Sequence, residues 1–258
     1  MLDSNDRAAL RSHLLATGIC GDTLTSRENA VNNAQKLVAG DADKFLGLIH
    51  EDLTIDEVMR AVADLCGCSD DPAICVGAGY IDPDRTIDAL EVYGQRLQDA
   101  VRRNEQILIC TGHPTGPVPV YMAVARALES AGCKILRPLD GERLEAELRH
   151  RGNRVRFFDG VGVLADGANL YHTHHSWPME RLLEHSDPEL VLADHGFAGA
   201  AIAQGVETLA FNDINDPSLS VAKARGMTQI VVPLDDNVRT PDAYTPIGDV
   251  LVNAIRSA

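Results

Sequence analysis

The spacing of apolar residues along the chain changes near residue 104. Before it, Ala8, Leu10, Leu14 and Leu15 recur at helical intervals and predict a helix over 7–17 that stops ahead of Gly18. Thr25-Ser26-Arg27-Glu28 has the spacing of a capping box and opens a second helix to about Val38, closed by Gly40. Thr54-Ile55-Asp56-Glu57 repeats that box ahead of a third helical run over 58–65. Asp82-Pro83-Asp84 begins a fourth, in which Ile87, Leu90, Val92, Tyr93 and Leu97 make a buried face. Gly77-Ala78-Gly79 reads as a plain turn, because no strand precedes it and no glycine follows at the third position of a dinucleotide loop.

After residue 104 short apolar runs alternate with helical ones. Strands are predicted over 107–110, 134–136, 161–164, 190–193, 208–211 and 229–232. Helices are predicted from 118 to about Gly132, as a charged surface helix over 141–150, from 177, and over 198–204, 218–225 and 242–256. Residues 166–171 read as a turn and a short extended run. This alternation predicts an α/β fold, a mostly parallel, doubly wound (Rossmann-like) three-layer sheet with an N-terminal helical region. Residues 1–103 form a helical cap or flank and 104–258 the α/β catalytic region, together one compact unit.

Composition narrows the partners. The 258 residues carry 38 acidic against 23 basic side chains, a net charge of −15, and no Lys/Arg block. Nucleic acid and anionic membranes are excluded as partners on electrostatic grounds. No apolar run is long enough to span a bilayer, and the N-terminus lacks a signal peptide's basic start, so a cytoplasmic location is expected. The six cysteines fit a reducing compartment; Cys66-Gly67-Cys68 with Cys75 lacks both C-x-x-C spacing and a nearby histidine.

The chemistry gathers after strands. Thr111-Gly112-His113-Pro114-Thr115-Gly116-Pro117 joins an apolar strand to a helix, where peptide N–H groups favour an anion. The loop matches neither standard nucleotide fingerprint. The last three strands run into Asp194-His195, Asp213-Ile214-Asn215-Asp216 and Asp235-Asp236-Asn237. Taken singly, such aspartates are good helix caps and turn formers. In a parallel sheet, however, all four loops share one edge. Unit charges ~4 Å apart repel by about 4 kcal/mol at an effective dielectric of 20. With few Lys or Arg in these loops, a divalent metal is the expected counter-charge. Oxygen ligands favour a hard ion, and histidine widens the choice to a transition metal. His172 and His174 alternate along an extended segment and point to one side, as two ligands or two phosphate donors would; an exposed histidine-rich turn is the plainer alternative.

These landmarks resemble a bacterial family described simply as phosphatases. The resemblance rests on Gly21-Asp22, Arg27-Glu28-Asn29, Thr111-Gly112-His113-Pro114 with Gly116, His172-Thr173-His174 with Pro178-Met179, and Ala193-Asp194-His195-Gly196 with Ala198-Gly199. Asp213 with Asn215-Asp216-Pro217, and Val232-Pro233-Leu234-Asp235-Asp236 with Val238, complete it. Asp166, Asn212 and His175 fall outside the pattern. The resemblance implies a phosphatase, a hydrolase; joined to the metal that the acidic loops call for, it leads to the expectation of a metal-dependent phosphatase of a phosphomonoester of a small soluble metabolite, with a homo-oligomer possible.

Roles are expected as follows. His113, His195 and Asp194 are catalytic, with His113 or His195 protonating the leaving alkoxide. Thr111, Gly112, Thr115, Gly116, His172 and His174 bind substrate. Ligands to magnesium, manganese, cobalt or nickel come from Asp194, Asp213, Asn215, Asp216, Asp235 and Asp236. The helical first hundred residues roof the crevice and select the leaving group. A sugar-phosphate isomerase or lyase, or a non-catalytic phosphometabolite-binding protein, uses the same loop and is the alternative.

Overall fold

A computed structural model describes residues 2–144, 153–237 and 240–258. The chain opens with α1 (Ser4–Thr17), capped by the Asp3 carboxylate and stopped at left-handed Gly18. Then come β1 (Gly21–Ser26), α2 (Arg27–Val38), the single-turn α3 (Ala42–Phe45), α4 (Ile55–Cys66), β2 (Ala78–Ile81) and the long α5 (Pro83–Arg103). Ser26 accepts from Asn29 N and Thr54 from Glu57 N. The first box thus caps one residue later than its spacing suggests.

The remainder alternates: β3 (Gln106–Thr111), α6 (Val118–Ser130), β4 (Lys134–Ile135), β5 (Arg154–Phe158), β6 (Val161–Ala165), α7 (Trp177–Leu183), β7 (Leu190–Ala193), α8 (His195–Ala203), β8 (Thr208–Asn212), α9 (Pro217–Ala224) and β9 (Ile230–Pro233). A 3-10 turn, Pro241–Tyr244, leads into α10 (Thr245–Arg256). Of the surface helix expected over 141–150, residues 141–144 are not helical and the rest lies outside the described residues.

Strands β3 to β9 form one seven-stranded sheet in the order β5-β6-β3-β7-β8-β9, with β4 pairing the start of β3 where β6 pairs its end. Every pairing is parallel except β5 with β6. The mixed α/β class and the mostly parallel sheet are as expected. Strand β5 is not, and its Arg154 and Arg156 suit an edge that must resist further pairing. Two strands also lie in the region expected to be helical. β1 and β2 form a separate antiparallel pair, so Gly77-Ala78-Gly79 leads into a strand and is not a plain turn. Its Gly79 is required by close approach, since a Cβ there would run into Thr25 O and Thr23 Oγ1.

Burial explains the central sheet's continuous apolar runs. Strands β3, β7 and β8 have every residue from Ile107, Leu190 and Thr208 onward buried, as strands covered on both faces must. One hydrophobic cluster runs from Leu10 and Leu14 of α1 through β3, β7 and β8 to Leu251 and Ile255 of α10. A smaller cluster joins α2, α4 and α9 through Val31, Leu37, Met59 and Val221. Because β3, β6, β7, β8 and β9 are parallel, their carboxyl ends share one edge, and the histidine and aspartate loops begin there.

Candidate functional site

Asp194 and His195 sit where β7 turns into α8. Asp194 occupies the N-cap position, yet its side chain makes no capping bond. It turns instead to the neighbouring loop: Thr111 Oγ1 donates to it at 2.6 Å, Gly112 N at 2.6 Å, and His195 Nδ1 lies 3.0 Å away. Both oxygens are thereby engaged. His195 has left-handed backbone, φ 46°, a strained choice for a residue with a side chain. That bend sets the ring beneath the loop, with Nε2 3.3 Å from Asp216 Oδ2, 3.5 Å from Asp236 Oδ2 and 3.4 Å from His172 Nε2. Burial works against a charged His195, but Asp216, Asp194 and Asp236 together outweigh it and raise its pKa to about 10.

Four imidazoles converge. Thr173 N donates to Gly112 O at 2.9 Å, so the 172–175 segment runs beside the β3 loop. A Cβ on Gly112 would strike Thr173 O, and one on Gly196 would strike the carbonyls of His174 and His175; these glycines permit the approach. The rings of His113 and His172 are 4.9 Å apart between centroids, and His174 stacks on His195 at 5.1 Å and 19°. His113 is buried, with Nδ1 3.2 Å from Asp236 Oδ2 at ion-pair distance but not in hydrogen-bond alignment, so that nitrogen lacks a hydrogen-bond partner among the described residues. His172 is exposed on its outer side, but desolvation of the ring where it packs against its neighbours, helped by His195 and His113, lowers its pKa to about 4.

Carboxylates form the floor. Asp213 accepts from Thr25 Oγ1 at 2.7 Å, Asn237 Nδ2 at 3.0 Å and Ile214 N at 2.6 Å. Asp235 accepts from the peptide N–H groups of Leu24, Thr25 and Asn237 at 2.7, 3.1 and 2.8 Å. Burial, with Asp236 and Asp235 close by, pushes Asp213 well above the usual carboxylate range, and burial raises Asp235 and Asp216 as well. Burial would raise Asp236 too, but His113 and His195 outweigh it and hold it low. Part of the counter-charge that the loops lack in lysine and arginine therefore comes from imidazoles.

Among the described residues, three groups have ligand atoms within 4.8 Å of one another: His113 with His172 and His195; His174 with His195 and Asp216; and Asp213 with Asp235 and Asp236. These nitrogen and oxygen donors fit a divalent cation, and His113 Nδ1, which faces Asp236 Oδ2 at 3.2 Å without a hydrogen bond, is free to turn its lone pair to one. Asp216, like Asp194, stands at a helix N-cap without making the capping bond, so neither is explained by capping.

Most of the residues singled out from the sequence meet here. Thr111, Gly112, His113, His172, His174, Asp194, His195, Asp213, Asp216, Asp235 and Asp236 belong to one connected cluster at the carboxyl edge of the sheet. Thr115 is exposed, and Gly116 is held against Asp236 O, where a Cβ would collide. Asn215 accepts from Asn33 Nδ2 through its carbonyl at 2.9 Å, and its side chain makes no hydrogen bond to the cluster among the described residues. Sequence reasoning gave no site role to Thr25, Asn237 or Asp43, which the structure places against Asp213, Asp235 and His174. Thr25 has the spacing of a helix cap, and Asp43 sits in a short polar stretch with no periodicity; Asn237, two residues beyond Asp235, carries the Asx-turn spacing that would have found it.

Fold and crevice describe an α/β protein that gathers imidazoles and carboxylates at the carboxyl edge of a parallel sheet. The chain belongs to the family described as Phosphatase, whose model matches residues 5–258. It is 41% identical over 249 residues to the protein named Phosphatase SCO2771 of Streptomyces coelicolor (strain ATCC BAA-471 / A3(2) / M145), with 93% of each chain covered. The family suggested by the motifs is the one the whole chain matches.

Proposed function

We propose that the protein is a metal-dependent phosphomonoesterase acting on a small soluble metabolite. Family membership supports phosphatase chemistry. The observation that carries the metal is His113 Nδ1, buried and without a hydrogen bond beside two further imidazoles and Asp236. His113, His172, His195 and Asp236 would hold the cation, with Asp216 beside His195 and with Asp213 and Asp235 below. Nitrogen donors in that number favour manganese, cobalt or nickel over magnesium. Once bound, such a cation supplies positive charge to a phosphate oxygen and makes a water more acidic.

The chain's own residues do the rest. Asp194 holds His195 through Nδ1, leaving Nε2 to face the crevice. Gly112 N is already committed to Asp194, Pro117 and Pro119 have no N–H, and Val120 N and Tyr121 N donate to Pro117 O, so the phosphate cradle reduces to the peptide N–H groups of Thr115, Gly116 and Val118. The water oxygen bonds to phosphorus, the phosphorus bond to the alcohol oxygen breaks, and a proton reaches the departing alkoxide. His174, with Nδ1 3.0 Å from Asp43 Oδ2 on the rim, is the donor we assign to that alkoxide. This replaces His113 and His195 as proton donors, since both are given to the cation.

The test is release of phosphate from p-nitrophenyl phosphate after exhaustive chelation and after return of magnesium, manganese, cobalt or nickel, with bound metal measured by mass spectrometry. His113→Ala and Asp236→Ala are expected to lose both metal and turnover. Full activity in the chelated protein would refute the reading.

A further inference from the structure

A cavity of about 620 Å³ opens beside the crevice, between residues 42–50 and 174–176. One ring separates the two spaces: His174 stacks on His195 and also lines the cavity. The outer wall is built in advance of any ligand. Ser218 Oγ donates to Phe45 O at 2.8 Å, and a Cβ on Gly199 would collide with Leu46 O, so the turn after α3 lies directly on α8 and α9. Leu46 and Gly47 are both left-handed, at φ 55° and 83°, which folds the segment back on itself.

The lining is mixed but mainly apolar and flat. The rings of Phe45 and His50 lie nearly parallel, 24° apart with centroids 6.3 Å from each other, and Leu48 is buried beside them. Ile49, 78% exposed, stands at the mouth as a large apolar side chain with nothing over it. His50 is also polarised in one sense. Ser218 Oγ spends its hydrogen on Phe45 O, so at 2.8 Å from His50 Nε2 it accepts, which puts the ring hydrogen on Nε2 and leaves Nδ1 as a bare acceptor.

We propose that this cavity is the subsite for the alcohol half of the substrate, and that it selects phosphomonoesters of ring-bearing alcohols, aromatic or heteroaromatic, over open-chain polyol phosphates. The assignment rests on the phosphomonoesterase reading. A phosphate in the crevice places its ester oxygen beside His174, and the group beyond that oxygen enters the space bounded by Phe45, Leu48, Ile49 and His50. Flat rings there stack on flat rings, and the open flank of Ile49 becomes covered.

The experiment compares kcat/KM for a nucleoside 5′-monophosphate and pyridoxal 5′-phosphate with that for glycerol phosphate and phosphoglycolate, in the metal-loaded enzyme and in Ile49→Ala. Because Ile49 lies on the surface, its truncation spares the core. Ring-bearing esters are expected to be favoured by at least about tenfold, and the ratio to shrink by roughly tenfold in Ile49→Ala, the scale set by a few methylene groups in an apolar binding pocket. Equal rates for both classes, or a preference untouched by Ile49→Ala, overturn the subsite while leaving the phosphatase standing. Hydrolysis of p-nitrophenyl phosphate but of none of these esters overturns the subsite alone, and hydrolysis of neither removes the phosphatase reading and the subsite with it.

Discussion

Asp194 is the residue on which the crevice geometry depends, although its own oxygens are filled by Thr111, Gly112 and His195. Asp194→Asn keeps the volume and removes the charge. It then offers one acceptor oxygen where three donors now converge, and the His195 ring loses its fixed orientation. Turnover or metal affinity is expected to fall by about 10- to 100-fold, the usual consequence of losing a partner of a metal-bound histidine, while the far-ultraviolet spectrum is unchanged. Steady-state kinetics with metal titration decides this, and wild-type values in both would remove Asp194 from its positioning role. Gly196 offers a purely steric probe. Gly196→Ala puts a methyl group into the carbonyls of His174 and His175, so the histidine segment must move. A stability loss of about 1–3 kcal/mol, typical of overpacking, is expected in urea titration, with activity lost in greater proportion.

Among the elements, α5 is held to the sheet by charge as well as by its apolar face. Arg96, nearly buried, donates to Glu105 at 2.8 Å at the start of β3 and to Glu207 at 2.7 Å ahead of β8. Arg96→Met leaves Glu105, 4% exposed at its side chain, without its main counter-charge, and a loss of about 3–5 kcal/mol is expected, as for a buried pair broken on one side. The pH dependence has a definite sign. Arg96 hydrogen-bonds Glu207 and lowers its pKa below the ordinary 4.5. That contribution is therefore fully present above pH 4.5 and is lost as pH falls through the folded value, so the gap between wild type and Arg96→Met should narrow in acid. Chemical denaturation at neutral and acid pH measures it; a gap that widens in acid contradicts the assignment. Elements of this kind were legible in the sequence where the core imposed a period or a cap marked the start: α1, α5 and the buried strands follow their apolar spacing, and α2 and α4 announce themselves by their capping boxes. β1 was not, because its polarity is inverted. Thr23 and Thr25 face inward and Leu24 is 53% exposed, since the inward face of this strand serves aspartates instead of a core. β5 was hidden by its edge position, where arginines interrupt the apolar run.

At the level of the whole molecule, β1 reaches from the first part of the chain into the carboxylate cluster of the sheet's loops. β1 gives two peptide N–H groups to Asp235 and a hydroxyl to Asp213, while Asp235 N donates to Ile19 O at 3.0 Å. The convergence of the acidic loops could be anticipated from a parallel sheet, but the partner that stabilises them comes from over two hundred residues away and leaves no local trace. A cation drawn to Asp236 and the imidazoles should consequently be felt in β1. With the metal at about 100 times its dissociation constant, linkage adds about 2.7 kcal/mol to stability, which a thermal scan with manganese or nickel against a chelated control detects. Hydrogen exchange then locates the effect. The amides of Leu24 and Thr25, bonded to the floor carboxylate Asp235, should exchange more slowly when metal is bound, whereas those of α10, whose residues make no hydrogen bond to the cluster among the described residues, should change only as far as global stability does. Metal binding with unaltered exchange at Leu24 and Thr25 would mean that β1 only packs beside the centre and takes no share in holding it.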